Sequence, residues 1–505
     1  GIEMATHIFA AIDVGSFELE LCIYEVSSKN ELQQIDHLRH VIPLGKDTYR
    51  TGKISYRLVD EMCRVLGEFS QVMKTYQVET YRAYATSAMR EAKNKQIVLD
   101  QIRVRTGIQV RIISNSEQRF FSYKAIAMKA VEFQKIIQKG TAIADVSFGS
   151  QQISLFDKDR LVTTQNIPMG ILKIREILSK IHVDNETEQA IIEDMVDNEL
   201  YAFKKMYLKD RDIKHLICIG ESILYLAKDV LNGRKTDRIS AEEFKQFYER
   251  LMKMSLYQIE DLFGVNEGYA KLLIPGVIIY KQILEMTGAE MLWIPGIRLC
   301  DGIAADYAES VKCLKFTHNF DDDIITASRN MAKRYRCNTS HCACIENYVL
   351  AMFDAMKKYH GLGIRERLLL RIATILHDCG KFISLRQSST CGYDIVMSTE
   401  IIGLSHGERE MIANVVRYNI GFFDYDKTDI TVAKLTAMLR LANAMDRGHN
   451  EKMADCKMSV RENTLVISTA YPGDLSLEIM EVNAKADFFE EIFGIRPLVK
   501  QKRKV

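Results

Sequence analysis

The sequence predicts an α/β protein of two duplicated lobes, followed by an all-α region and a small α+β C-terminal piece. Three observations predict it. A strand–turn–strand unit with an Asp at its turn occurs twice, about one domain apart. From about residue 319 to 450 the apolar residues fall at helical spacing. The length of 505 residues exceeds a single hydrophobic core, which stops growing near ~250–300 residues. The expected boundaries are 4–125, 126–312, 313–450 and 451–505.

Composition narrows the partner. With 68 Lys+Arg against 67 Asp+Glu the net charge is +1, so no global field favours nucleic acid or a membrane surface, and a small partner is expected. A hydrophobic fraction of 47% and only 6 Pro argue against long linkers. Eleven cysteines, an odd number scattered from Cys22 to Cys456, read as reduced thiols. No basic segment leads into an apolar one at the start, and no run of ~18 apolar residues occurs, so the expected location is cytoplasmic. Residues 1–3, ahead of Met4, are left out of fold reasoning.

The first unit, Ile8–Tyr24, is an apolar strand, a turn at Asp13-Val14-Gly15-Ser16, and a strand alternating Leu19, Leu21 and Ile23 with Glu18, Glu20 and Cys22. Gly15 lets backbone N–H groups approach an anion, and Ser16 adds a hydroxyl. Arg57–Tyr76 is a helix by spacing, and Tyr81–Thr86 a strand. Thr86 or Ser87 caps the next helix, with Arg90 one turn in, a combination suited to phosphate. Val110–Ile113 is a strand, and Ser114 with Glu117 forms a capping box for a helix through Ala130. The second unit is Gly140–Asp145, the turn Ser147-Phe148-Gly149-Ser150 and a return strand Gln152–Phe156. A third turn, Gly220-Glu221-Ser222, follows the strand Leu216–Ile219. Two such Asp-bearing hairpins face one another across a cleft that fits a phosphate chain.

These residues resemble the exopolyphosphatase and guanosine pentaphosphate phosphohydrolase family of the actin, sugar-kinase and chaperone superfamily. Its Ala-Ile-Asp-x-Gly-Ser matches Ala11–Ser16, and its Ala-Thr-Ser-Ala-x-Arg-x-Ala-x-Asn matches Ala85–Asn94 without a break. Leu44-Gly45, Ile167-Pro168-Met169-Gly170, Gly276 and Arg298-Leu299-Cys300-Asp301-Gly302 follow in order, so the resemblance spans roughly 8–312. It implies an actin-like (ribonuclease H-like) fold and hydrolysis of the terminal phosphoric anhydride of inorganic polyphosphate, or of the 5′ phosphate of a guanosine alarmone. It also implies Mg²⁺ in the cleft, with Asp13, Gly15, Ser16, Thr86, Ser87, Arg90, Gly149, Ser150 and Gly220 as the phosphate cradle. Family members often form dimers, so a homodimer is carried over as an option of the resemblance.

The chain departs from the family pattern at its chemistry. The water-activating carboxylate is the second Glu of Ile-Ser-Gly-x-Glu-Glu-Ala, where this chain has Glu117-Gln118-Arg119. Gln118 orients water but takes no proton, and Glu117 points about 100° away on a helix. The second loop keeps Asp145, Gly149 and Ser150, but Phe148 adds a ring and Gln152 removes a charge that would help hold Mg²⁺. Glu117, Gln118 and Asp145 remain the catalytic candidates. Two further readings follow: a polyphosphate or alarmone sensor that binds without turnover, and hydrolysis moved to a C-terminal metal site.

For that site, six of the eleven histidines lie between Cys313 and Asn450. His377-Asp378 ends an apolar helix, Leu368–Leu376, with His341 upstream and Asp446 at the end of another, Leu435–Met445. Two imidazoles and two carboxylates suit Mg²⁺, Mn²⁺, Fe or Zn²⁺. The order resembles the HD-domain metal phosphohydrolases, which implies one divalent metal on His341, His377, Asp378 and Asp446. Cys337, Cys342 and Cys344, with Cys379 or Cys391, offer a softer alternative for Zn²⁺ at unusual spacing. Lys457–Ser468 and Leu475–Val482 read as strands, Ala486–Phe493 as a helix, and Lys500–Lys504 as a basic tail.

Overall fold

The computed structural model describes residues 5–502. The chain divides into two units after Phe320. The first contains two sheets of matching design. One comprises β1 (His7–Val14), β2 (Glu18–Ser27), β3 (Glu31–Val41), β4 (Thr80–Ala85) and β5 (Val110–Ile112), in the order β3-β2-β1-β4-β5. The other comprises β6 (Thr141–Val146), β7 (Gln151–Asp157), β8 (Arg160–Ile167), β9 (His215–Ile219), β10 (Arg238–Ser240) and β11 (Met291–Trp293), in the order β10-β11-β9-β6-β7-β8. In both, three consecutive strands form an antiparallel meander and the fourth lies parallel to the first. The duplication read from the two hairpins therefore extends to a third strand in each lobe. β3 escapes sequence reading because it is an edge strand of mostly polar, half-exposed residues.

The central strands are buried on both faces, and their period of two assigns each face. Ala10, Ile12, Val14, Leu19, Leu21 and Ile23 pack under the helices Tyr56–Thr75 and Lys95–Thr106. Phe9, Ala11, Cys22 and Tyr24 pack instead against Phe121 of the helix Asn115–Ala127 and Cys300, Ile303 and Ala304 of Leu299–Ser310. That last helix follows the whole second lobe in sequence yet returns to the first sheet, so the first lobe is completed by chain from beyond residue 126. Gly302 permits the crossing, since a Cβ there would lie 1.8 Å from the Phe121 carbonyl oxygen. The second lobe's core includes the helix Glu267–Thr287. Among the described residues no single helix is long and apolar enough to cross a membrane.

Several local expectations are corrected here. The helix opened by Ser114 ends at Ala127, and a separate one runs Ala130–Ile136. Its capping box is half made: Ser114 Oγ accepts from the Glu117 N–H at 3.2 Å, but the Glu117 carboxylate pairs with Arg111 at 2.9 Å. In the second unit, 475–482 is not a strand but the first half of the helix Ser476–Phe493, because Glu478, Val482, Ala486 and Phe489 are buried at helical spacing. Lys457–Ser468 is a hairpin of β12 (Lys457–Arg461) and β13 (Thr464–Thr469), joined by β14 (Arg496–Gln501). Lys500 and Gln501 thus belong to a strand, while Arg503 and Lys504 lie outside the described residues.

The second unit is otherwise helical, with Thr339–Ala355, Ile364–Leu376, His406–Tyr418 and Ile430–Met445 among its members. Leu465, Ile467, Val482 and Phe489 share one core with these helices, so the boundary expected at 450 does not separate two cores.

Candidate functional site

In the first unit Asp13, Thr86, Gln118, Asp145 and Gly220 line one cavity, together with Glu18, Glu20, Ser147 and Arg298. Its volume is about 50 Å³, space for roughly two waters. Gly220 reaches it with φ +122°, where a Cβ would meet the Val146 carbonyl oxygen at 2.1 Å, so only glycine closes this turn.

The remaining cradle candidates are engaged with protein. Gly15 N–H donates to the Glu18 carbonyl at 3.0 Å, and the Ser16 and Ser87 hydroxyls pair at 2.9 Å. Thr86 precedes a helix of five residues, Ser87–Glu91, without capping it through its side chain. Arg90 donates to the Ile113 carbonyl and to Asn115 Oδ1 (2.7 Å), tethering the start of the next helix. Ser150 N–H donates to Ser147 Oγ at 3.3 Å, and a Cβ on Gly170 would come within 2.3 Å of Gly149, so the second loop packs backbone to backbone. Glu117 turns to Arg111, while Gln118 faces the cavity. Phe148 of the second loop meets Phe17 of the first with ring centroids 5.3 Å apart, and Tyr269 packs on both.

The electrostatics of this cleft rest on charge pairings that the motifs did not give. Arg119 Nη1 lies 2.6 Å from Asp145 Oδ2, with the arginine side chain 1% exposed, and its Nη2 donates to Ser150 Oγ at 3.3 Å. Arg298 pairs with Glu20 at 2.5 Å, and Arg39 pairs with Glu18. Burial, then the charges of Glu20 and Glu18, pushes the Asp13 carboxyl well up, and its Oδ1 has no hydrogen-bond partner. Burial and the charge of Glu20 raise Glu18 to about 7, against the pull of Arg39. Burial also acts to raise Glu20, but the hydrogen bond from His37 and the charge of Arg298 outweigh it and hold this carboxyl below its ordinary value. A signal for Glu18 and Glu20 was present in the sequence. They share a strand face with Cys22 and Tyr24, and such an apolar strand is buried on both sides.

The Mg²⁺ implied by resemblance does not fit these residues. Mg²⁺ is usually held by one or two free carboxylates, with waters and substrate phosphates completing its octahedron, so binding turns on whether a cleft carboxylate is free to take it. Asp145 is held by Arg119, Glu18 by Arg39 and Glu20 by Arg298. Among the described residues, no group of convergent ligand atoms forms in this cleft.

Beside the first loop lies a much larger groove of about 910 Å³, whose floor includes Phe17, Val41 and Leu172. Lys46, Arg50, Arg175, Lys180 and Lys271 line it against a single acid, Glu176. The motif search missed it because its cations come from three separate segments.

In the second unit, His341, His377 and Asp378 are buried and each offers a ligand atom within 4.8 Å of the others. His377 Nδ1 donates to the Thr374 carbonyl at 2.6 Å, which leaves Nε2 as the unprotonated nitrogen; Nε2 is buried without a hydrogen-bond partner. Burial depresses the His377 pKa, keeping the imidazole neutral, as a ligand must be. Asp446 stands behind His341, its Oδ2 2.6 Å from Nδ1, so it orients the imidazole rather than joining the convergent group. Lys381 pairs with Asp378 at 3.0 Å. His449, which the sequence reading left out, stacks on His341 with centroids 3.6 Å apart. The donor types suit a divalent metal, which would have to displace Asn443 Oδ1 from His341 Nε2 (3.1 Å) and the half-exposed Lys381 from Asp378. The thiols do not join it: Cys337, Cys342, Cys344, Cys379 and Cys391 lie outside the group. Burial pushes Cys337 up to about 11 and Cys379 to about 12.

Comparison with known proteins follows the same division. A model of the Ppx/GppA phosphatase family matches residues 22–310, and one of Ppx/GppA phosphatase domain III matches 325–479. The chain belongs to the Ppx/GppA phosphatase family. Within curated proteins, it is 20% identical to a guanosine-5'-triphosphate,3'-diphosphate pyrophosphatase of Photobacterium profundum, over 91% of each chain. It is 19% identical to exopolyphosphatase 1 of Mycobacterium tuberculosis, over 58% of this chain and 86% of that one. Among solved structures, the Aquifex aeolicus Ppx/GppA protein superposes with a TM-score of 0.51 at 21% identity, covering 61% of this chain and 99% of its own. An exopolyphosphatase from Cytophaga hutchinsonii gives 0.53 at 18%, covering 61% and 100%. These structures establish the fold of the first unit as the actin-like one, in keeping with its duplicated sheets.

Proposed function

We propose that this family member recognises a phosphate chain, inorganic polyphosphate or the phosphates of a guanosine alarmone, and has lost most of the hydrolysis its N-terminal cleft would otherwise perform. The observation that carries the reading is the pair of neighbours on one helix: Gln118 faces the cavity where a water-activating base would stand, and Arg119 holds Asp145. Loss of a general base alone costs ~10²–10⁴-fold in rate. The basic groove supports the ligand class. Arg175 is paired with Glu188 and Lys271 with Glu267, but Lys46, Arg50 and Lys180 still outnumber the one lining acid, Glu176. A cationic surplus beside Phe17 of the first loop attracts a polyanion. The names of the relatives support the same class. The test incubates the full chain with long-chain polyphosphate, and separately with guanosine pentaphosphate, in Mg²⁺ and in EDTA, and measures bound ligand and released phosphate in parallel. Binding with slow or no release is expected; rapid release, or no binding of either, refutes the reading.

A second reading has its own support in the buried Nε2 of His377, which makes no hydrogen bond and lies 3.4 Å from Asp378 Oδ1, near His341. There an HD-like centre would hold one divalent metal on those three residues, with Asp446 orienting His341. The metal would supply Lewis acidity and an activated water for phosphoester hydrolysis. The Thr374 carbonyl fixes the His377 tautomer, and Lys381 holds Asp378 in place. Metal analysis with a phosphoester screen separates the readings: activity that His377→Ala abolishes supports the second, and metal-free, inactive protein refutes it.

A further inference from the structure

Each acid of the N-terminal cleft except Asp13 has its own guanidinium: Asp145 has Arg119, Glu18 has Arg39 and Glu20 has Arg298. These pairs come from different parts of the chain, and only folding assembles them. The Arg119–Asp145 pair differs from the other two in place and consequence. It lies on the second Asp-bearing strand end, and the guanidinium extends to Ser150 Oγ, so it spans the strand end and the loop that follows it. The side chain is 1% exposed, and an arginine does not give up its proton in a protein. Its charge is therefore permanent at that position. A divalent cation entering the same pocket would meet that charge at close range in a poorly screened interior, and would find the Asp145 carboxylate already engaged. Asp13, the unpaired acid, is buried with Glu18 and Glu20 as neighbours and is left as the one carboxylate for an ion usually held by one or two, while the Arg119 charge occupies the second, Asp145.

We propose that Arg119 is a resident substitute for the divalent cation of this cleft. The N-terminal half binds no metal, and the protein takes its phosphate chain in metal-free form. The second half of this statement rests on the phosphate-chain reading above; the exclusion of metal does not. Arg119 then decides specificity. A site built around Mg²⁺ recognises the magnesium complex of a polyphosphate, whereas this one prefers the free anion.

The experiment is a Mn²⁺ titration followed by electron paramagnetic resonance on the full chain carrying His377→Ala, which disables the C-terminal cluster. That protein is expected to bind no Mn²⁺. Adding Arg119→Ala frees Asp145 and is expected to create one Mn²⁺ site, lost again with Asp145→Asn. Arg119→Met, which keeps the aliphatic volume, is run beside it, and near-ultraviolet circular dichroism checks that each variant is folded. In parallel, the wild-type affinity for polyphosphate is measured in EDTA and in Mg²⁺ and is expected to be no weaker in EDTA. The proposal is overturned if the His377→Ala protein binds Mn²⁺ in a way that Asp145→Asn abolishes. It is also overturned if folded Arg119 variants gain no Mn²⁺, or if polyphosphate binding requires Mg²⁺. Failure to bind polyphosphate in either buffer refutes the proposed function instead, and the Mn²⁺ titration still decides the role of Arg119.

Discussion

Glu18→Gln is the sharpest test of the cleft's electrostatics. Glu18 is 5% exposed, and burial with the neighbouring charge of Glu20 lifts its carboxyl from an ordinary 4.5 to about 7. The folded chain therefore holds this proton more tightly than the unfolded chain does. Stability from this group is fully present below pH 4.5 and is lost as pH rises through about 7. A rise of that size, at about 1.4 kcal/mol per pH unit, corresponds to roughly 3 kcal/mol between pH 4.5 and pH 8. Glutamine cannot ionise and keeps the carbonyl oxygen as an acceptor, so the variant should lose this dependence. Urea unfolding at pH 5, 6, 7 and 8 reads it. Wild type and Glu18→Gln should differ little at pH 5, and the variant should become the more stable by about 1–3 kcal/mol at pH 8, the lower end allowing for its lost ion pair with Arg39. If the variant is instead the less stable at pH 8, folding does not raise the Glu18 carboxyl, because Arg39 outweighs burial and Glu20, and the picture of a crowded carboxyl cluster is wrong.

Other outcomes follow from single residues. Gln118→Glu should raise phosphate release from polyphosphate, by up to about 10²-fold if it serves as the missing base; an unchanged, measurable wild-type rate would show that position 118 does not govern turnover. His377→Ala should lower the metal content found by elemental analysis while polyphosphate binding is unaltered, and equal metal in both proteins would remove the C-terminal centre. Gly302→Ala places a methyl group 1.8 Å from the Phe121 carbonyl, and helix displacement should cost at least about 1–3 kcal/mol; an unshifted melting temperature would contradict the close crossing of these helices.

The apolar periodicities of the first unit were legible in the sequence because they repeat what the chain must bury. The apolar runs that open Ile8–Tyr24 and make up Gly140–Asp145, and the alternation of Glu18–Tyr24 and Gln152–Phe156, mark strands regardless of their partners. The unbroken match over Ala85–Asn94 pointed to the family and supplied Thr86, while the matches at Ala11–Ser16 and in the two later segments supplied Asp13, Gln118 and Asp145; the fold brings these four to one cavity. The same logic misled at 475–482, where Leu475, Leu477 and Ile479 alternate as a strand would. The core instead takes Glu478 and Val482, one helical turn apart. β3 carried no pattern to read, since an edge strand buries too little to impose one.

The sequence by itself determined which residue types could meet: carboxylates at two strand ends, a Glu-Gln-Arg run opening a helix, and a His-Asp pair in a helical region. Only tertiary structure decided their state. Charges separated along the chain, such as Glu20 and Arg298, or Glu18 and Arg39, become neighbours only when strands and helices pack, and the low dielectric they then share makes each pairing decisive. Arg119 follows Gln118 in the sequence, yet one residue along a helix turns the side chain by about 100°. That turn delivers its guanidinium to Asp145 and Ser150 on the other lobe. The C-terminal ligands show the same division. His341, His377 and Asp378 converge as their spacing suggests, whereas Asp446 stands behind His341 because the end of its helix lies beside that ring, a placement no spacing encodes.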